Sequence, residues 1–388
     1  MQSLHREISK IIKKVVSKNS AKLHEPLFAG NENKYLKECI KSTFVSTSGK
    51  YIKKFEEKIK KFTGSKNAVA VVNGTVALQM ALRGLGVKTN DEILIPTLTF
   101  VGTANSIQHC GAIPHFVDSD ENSLGICLKN LESYLQKISF KKKNFIYNKI
   151  TGRRIFAVIP VHVYGHMINM EKLKIISKKF KLKILEDAAE SLGSFYKGKH
   201  AGIFGDAGII SFNANKIITT GGGGIILTNN SSLAKQIRHL ISNAKLQHPW
   251  KFVHDKVGWN YRMPNINAAL GCAQMEKINT IIKYKEKITK KYQKEFENLK
   301  GVSFINQPKG CRSNYWLNSI KIEKLNIFSR DKLLKKLNSH HYECRPTWNL
   351  MHKLPMYCKC PKSKLSNSIK IENKIITLPS SPLYGKYN

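Results

Sequence analysis

A chain of 388 residues, 41% hydrophobic and 23% charged, can bury a large core and suits two or three domains; it is neither a disordered chain nor, lacking an apolar run of about 18 residues, one with a membrane-spanning helix. The formal net charge of +39 invites a polyanionic partner, but the lysines are spread over the whole length with abundant Ile and Asn, as a composition bias produces. The densest runs, at 141–143 and 152–154, carry no interleaved aromatics, so nucleic acid and membrane are not expected partners, whereas a positive field favours a small phosphorylated substrate.

The opening MQSLHREISKIIKKVVSKNS is basic and amphipathic, without the apolar core or small-residue cleavage site of a secretory signal, and predicts an ordinary first helix. From Asn67 the pattern alternates. NAVAVV predicts a strand and TVALQMALRGLG a helix; DEILIP a strand and TFVGTANSIQHCG a helix; AIPHFVD a further strand. RRIFAVIPVHVYG predicts a strand and loop, MEKLKIISKKF a helix, KLKILED a strand. This rhythm means an α/β fold with a mostly parallel sheet covered by helices on both faces. Ligands on such sheets sit beyond the carboxyl ends of the strands.

Those ends carry Asn73-Gly74-Thr75, then Phe100, then His162 and Tyr164, then Asp187 and Glu190. A small-residue loop at a helix start offers free N–H groups and a positive dipole end to a phosphate, although the same residues also make a plain turn and cap. Phe100 either packs in the core or covers a flat ring. Asp187 ends an apolar strand, where a buried carboxylate needs a cationic or donor partner; the alternative is a cap on a following helix. Lys216 comes next, in SFNANKIITTGGGG between two apolar stretches. It is either a solvated lysine on a glycine-turn hairpin or an amine held for chemistry. A phosphate cradle, an aromatic, a strand-end Asp and a glycine-flanked Lys, in that order, are what pyridoxal phosphate requires. Its aldehyde bonds to a lysine amine, and its protonated ring nitrogen needs a carboxylate.

NGTVALQMAL, PTLTFVGTANSI, PVHVYGH, LEDAAESLGSFYKGKHAGIFGDAGIISFNANKIITTGGGGIILTN and GWNYRMPNINAALGCAQMEKI resemble the DegT/DnrJ/EryC1/StrS sugar aminotransferases, in order from about His24 to Pro382. Within that family, NANKIITTGGGG, QHPW, RSNYWLN and RPTWNLMHKLPM are most similar to the branch of legionaminic-acid-type pathways. The resemblance implies the fold-type I, aspartate aminotransferase-like architecture. We divide it into a helical extension (1–24), a large cofactor-binding domain (25–280) and a small C-terminal α+β domain (281–388). It implies that Lys216 bonds the cofactor, that Asp187 pairs with the ring nitrogen, and that Glu190 lies beside the ring hydroxyl, where many members have Gln or His. Gly74 and Thr75 would give N–H groups and Ser211 a hydroxyl to the phosphate, with Phe100 over the ring. Asn260, with Arg262 beside it, would reach the phosphate of a neighbouring subunit, so a homodimer with shared sites is expected. Asn213 stands where many members have His.

The reaction implied moves an amino group from L-glutamate to C4 of a nucleotide-linked 4-keto-6-deoxy, N-acetylated sugar for a surface glycan. A perosamine-type aminotransferase, a sugar deoxygenase, and a non-catalytic basic regulatory protein on the same fold are the alternatives. His162, Tyr164, Asn213, Arg262 and His352 are the candidate substrate contacts, while Tyr315, Trp316 and Trp348 read as packing. Eight scattered cysteines suit a reducing, cytoplasmic compartment. The single C-x-C of Cys358 and Cys360 near His352 is not a zinc pattern, so no metal is expected.

Overall fold

The structure is a computed structural model that describes residues 2–386. Met1, Tyr387 and Asn388, at the outer ends of the expected first and last segments, lie outside the described residues. Seven strands form the path of the central sheet: β1 (Asn67–Val71), β2 (Glu92–Pro96), β3 (Ile113–Val117), β4 (Arg154–Val158), β5 (Lys183–Asp187), β6 (Ala207–Ser211) and β7 (Gly224–Thr228). Their order is β1-β7-β6-β5-β4-β2-β3. Only β7 runs against its neighbours; the other pairs are parallel. Six strands therefore end on one edge of the sheet. The return strand β7 makes the expected hairpin with β6, Ser211 facing Gly224. A second hairpin (Ser139–Lys142 and Phe145–Asn148), too polar to read as sheet from the sequence, pairs antiparallel with β4.

The strands read as apolar runs because both faces are covered. In β1, Ala68 and Ala70 face one apolar core while Val69 and Val71 face the other, the two-residue period of a strand. Helix α1 (Gln2–Val16) is not a free extension: Ile8, Ile12 and Val15 are buried with Ile288, Tyr292 and Leu337 in a third core. Full burial of each such aliphatic side chain stabilises by about 1.5–3 kcal/mol. That core also covers an antiparallel sheet of Val302–Phe304, Asn318–Ile322, Ile375–Leu378 and Arg345–Pro346. The expected division at 280 falls inside one helix, Ile278–Phe296; Ile278, Ile281 and Ile282 feed a core under the large sheet, and Ile288 onward feeds the small one. The segment after Pro346 returns to the large sheet, where Phe116 N–H donates to Pro361 O at 2.9 Å.

Candidate active site

The site begins at the carboxyl end of β1. Asn73 is extended there and caps the helix α2 (Gly74–Leu85), its side-chain oxygen accepting from Val76 N–H at 2.8 Å. Gly74 and Thr75 occupy the first turn, where backbone N–H groups have no helical acceptor and the helix dipole is positive. Two glycines let the loops close on this turn. A Cβ on Gly74 would stand 3.1 Å from Ser211 Cβ, and one on Gly224 only 2.5 Å from Asn73 O. The result is a cradle of two N–H groups and the Ser211 hydroxyl, suited to a phosphate dianion.

Asp187 ends β5 and is buried. Thr103 Oγ1, from the helix Val101–Gln108, donates to its Oδ2 at 2.7 Å, and Ala189 N–H to its Oδ1 at 3.2 Å. Burial pushes this carboxyl above the usual aspartate value; the Thr103 and Ala189 donors and the positive charge of Lys216 pull it back. The chain beyond Asp187 forms turns, not a helix, so the helix-cap alternative is set aside. Thr103 was not expected in the site. Thr99 lies just before the helix Val101–Gln108 and Thr103 in its first turn, with their hydroxyls 2.8 Å apart; only the fold brings Thr103 to Asp187, 84 residues away in the sequence.

Lys216 projects from the loop between β6 and β7. Its Nζ is 3.2 Å from Glu190 Oε1 and 4.0 Å from the centre of the Trp316 ring, and its side chain is only 14% exposed. The hairpin expectation is met, but the solvated-lysine alternative is not. Glu190 is buried, and its other oxygen accepts from Tyr164 N–H at 2.9 Å. Burial raises the Glu190 carboxyl; the Lys216 charge and the Tyr164 donor lower it. Tyr164 takes a left-handed backbone conformation (φ 55°) at this turn.

The remaining expected residues divide. Phe100 is 57% exposed, unusual for a phenylalanine, and meets Trp348 edge-on at 6.5 Å. Trp348 in turn packs on Tyr164 at 5.3 Å. His352 Nδ1 lies 2.8 Å from Thr97 Oγ1 at the end of β2, which brings the C-terminal segment to the strand edge. His162 does not face the cleft. It is wholly buried with Nε2 3.1 Å from Glu186, a carboxylate also held by the N–H groups of Gly202 and Gly205. Tyr164 likewise has its ring buried, and reaches the site through its backbone. Asn213 is exposed on the lysine loop, where its carbonyl accepts from Lys216 N–H at 3.0 Å. Asn260 and Arg262 run along the outer edge of β1, Arg262 bridging to Val71. With Lys245, His248, Ser242 and Asn243 they line a separate cavity of about 840 Å³ without a carboxylate. No cluster of three metal-ligating side chains occurs among the described residues.

The chain matches the DegT/DnrJ/EryC1/StrS aminotransferase family over residues 28–386. It is 37% identical over 361 residues to the GDP-perosamine synthase of Escherichia coli O157:H7, covering 93% of each chain. It is 32% identical over 287 residues to the UDP-4-amino-4,6-dideoxy-N-acetyl-beta-L-altrosamine transaminase of Campylobacter jejuni subsp. jejuni serotype O:23/36 (strain 81-176), covering 74% of this chain and 68% of that one. Among solved structures it superposes on Helicobacter pylori PseC, an aminotransferase involved in the biosynthesis of pseudoaminic acid. There the TM-score is 0.83 at 25% identity, with 93% of each chain covered.

Proposed function

Because this chain belongs to the DegT/DnrJ/EryC1/StrS aminotransferase family, and is a sugar aminotransferase that uses pyridoxal phosphate, we propose that it moves the amino group of L-glutamate to C4 of a nucleotide-linked 4-keto-6-deoxy sugar bearing an N-acetyl group. One observation carries the reading: a nearly buried amine, Lys216, lies 3.2 Å from the buried Glu190, with the buried Asp187 three residues earlier at the strand end. The residues present fit the cofactor. Gly74, Thr75 and Ser211 would hold its phosphate, Phe100 would cover one ring face, Asp187 would keep a proton on the ring nitrogen, and Glu190 would stand beside the ring hydroxyl. When bound, pyridoxal phosphate supplies an aldehyde for amine capture and a ring that withdraws electrons from the carbon next to nitrogen.

Lys216 then acts as the proton carrier, taking the α-proton of glutamate and, in the second half, returning a proton to C4 of the sugar. The balance is L-glutamate plus 4-keto sugar to 2-oxoglutarate plus 4-amino sugar. The carboxylate-free cavity at Lys245, His248 and Arg262 suits a nucleotide diphosphate, and Asn260 would reach the cofactor phosphate of a second copy. Trp250, Phe252 and Val257 are each more than three-quarters exposed beside it, which suits burial in a homodimer. We place the reaction in the cytoplasm, in the supply of an amino sugar to a surface glycan.

The second reading is perosamine-type, with a GDP-linked sugar that lacks the N-acetyl group; the 37% identity to a GDP-perosamine synthase favours it. The test is to treat the loaded protein with L-glutamate, remove the excess, and add either a UDP-linked N-acetylated or a GDP-linked 4-keto-6-deoxy hexose. The 4-amino product from the first supports the N-acetyl reading, and from the second the perosamine reading. No amino sugar from either contradicts both.

A further inference from the structure

The RSNYWLN motif at residues 312–318 has no part in the chemistry above, yet it lies against the loop that carries Glu190 and the loop that carries Lys216. Asn314 Nδ2 donates to Glu190 O at 2.8 Å and to Leu192 O at 2.9 Å, while its Oδ1 accepts from Trp316 N–H at 2.9 Å. Trp316 Nε1–H donates to Asn215 O at 2.6 Å, the carbonyl just before the lysine, and the Trp316 ring lies beneath Lys216 Nζ at 4.0 Å. The fit leaves no slack, since a Cβ on Gly165 would strike Asn314 Oδ1 at 2.0 Å. Behind the motif, Lys285 Nζ donates to the Trp316 carbonyl at 2.9 Å from a fully buried position. The indole N–H and the Trp316 backbone are therefore both anchored before anything enters the site.

We propose that Trp316, braced by Asn314, is a positioning residue that holds the Lys216 amine at the place where the cofactor aldehyde must arrive. A free lysine side chain samples many rotamers, and confining it in advance removes that cost from covalent capture. The indole does this twice, by its N–H on the backbone of the lysine loop and by its face under the amine.

The experiment compares pyridoxal phosphate with pyridoxamine phosphate, which carries the same ring and phosphate but cannot bond to a lysine. Cofactor-free wild type, Trp316→Phe and Trp316→Leu are titrated with each. Covalent loading is read by absorbance and by borohydride fixation on Lys216 in the mass spectrum, and pyridoxamine phosphate binding by calorimetry. Positioning predicts that Trp316→Leu binds pyridoxal phosphate about tenfold more weakly, that Trp316→Phe, which keeps a ring but no N–H, loses about threefold, and that pyridoxamine phosphate affinity stays within about twofold in both. Should the leucine variant fail to fold, the phenylalanine variant decides on the same comparison. Equal losses for the two cofactors would reduce Trp316 to a packing residue. Tighter capture of pyridoxal phosphate would mean that the indole obstructs the amine instead of positioning it. Either result overturns the proposal.

Discussion

Replacing Thr103 with Val keeps the shape of the side chain and removes the hydroxyl that donates to Asp187 Oδ2 at 2.7 Å. A hydrogen bond to a charged group is worth about 1.5–3 kcal/mol, and one to a neutral group about 0.5–1.5 kcal/mol. Burial already places the Asp187 carboxyl above its ordinary value of 3.8, with Thr103 pulling it down. A carboxyl raised by folding costs stability as pH climbs from the unfolded value through the folded one, because the folded state then gives up its proton later than the unfolded state. Thr103→Val raises the carboxyl further and so enlarges this cost. The variant should therefore be destabilised by about 1.5–3 kcal/mol near pH 7, a Tm drop of about 2–4 °C for a chain of this length. Well below the ordinary aspartate value, where Asp187 is protonated in both states, the deficit should shrink to about 0.5–1.5 kcal/mol. Thermal and urea unfolding of the cofactor-free protein across pH measures this. Thr99→Val, which removes a hydroxyl that meets Thr103 Oγ1 and the Phe100 carbonyl but not Asp187, should show a smaller and pH-independent loss. A Thr103→Val deficit that is the same at every pH would refute the assignment of this hydroxyl to the ionised carboxylate.

Further outcomes follow from the same geometry. Asn73→Ala removes the cap on Val76 N–H and should cost about 1 kcal/mol of stability, with weaker binding of both cofactor forms because the cradle loosens; denaturant titration and calorimetry read the two effects. Gly224→Ala would set a methyl 2.5 Å from Asn73 O and 2.8 Å from Gly74 N, an overpacking cost of about 1–3 kcal/mol. Its signature is loss of affinity for inorganic phosphate as well as for the cofactor. Glu190→Gln keeps an acceptor for Tyr164 N–H but discharges the partner of Lys216. It should lower the rate with glutamate while leaving pyridoxamine phosphate binding within about threefold, as stopped-flow absorbance and calorimetry will report.

Much of this was legible in the chain. Parallel strands buried on both faces must be apolar runs, so β1 to β5 stood out, and the glycines around Lys216 marked the β6–β7 hairpin. The order of Gly74, Phe100, Asp187 and Lys216 along one α/β unit was enough to name a cofactor, because parallel strands bring their carboxyl ends to a single edge. What escaped was set by tertiary contact. Trp316 and Asn314 lie about a hundred residues beyond the lysine they support, and no local period links them; an aromatic in an apolar stretch reads as packing until the fold places it. His162 failed for a different reason. It follows a strand end, yet Glu186 and Asp187, adjacent in β5, point to opposite faces, and His162 takes the buried Glu186 while Thr103 takes Asp187. The hairpin at 139–148 is lysine-rich with one face in water, so it carried no apolar run to read. The division at 280 fell within a helix because one long amphipathic element, Ile278–Phe296, serves two cores.

Whether Lys216 carries amino transfer from glutamate is tested most sharply by the visible absorption of the protein loaded with pyridoxal phosphate before and after L-glutamate, beside Lys216→Ala. Wild type should show a long-wavelength band that bleaches as 2-oxoglutarate is released, and the variant should neither show this band nor yield 2-oxoglutarate. A wild-type band that ignores glutamate, or a Lys216→Ala protein that still releases 2-oxoglutarate, would contradict that role of Lys216.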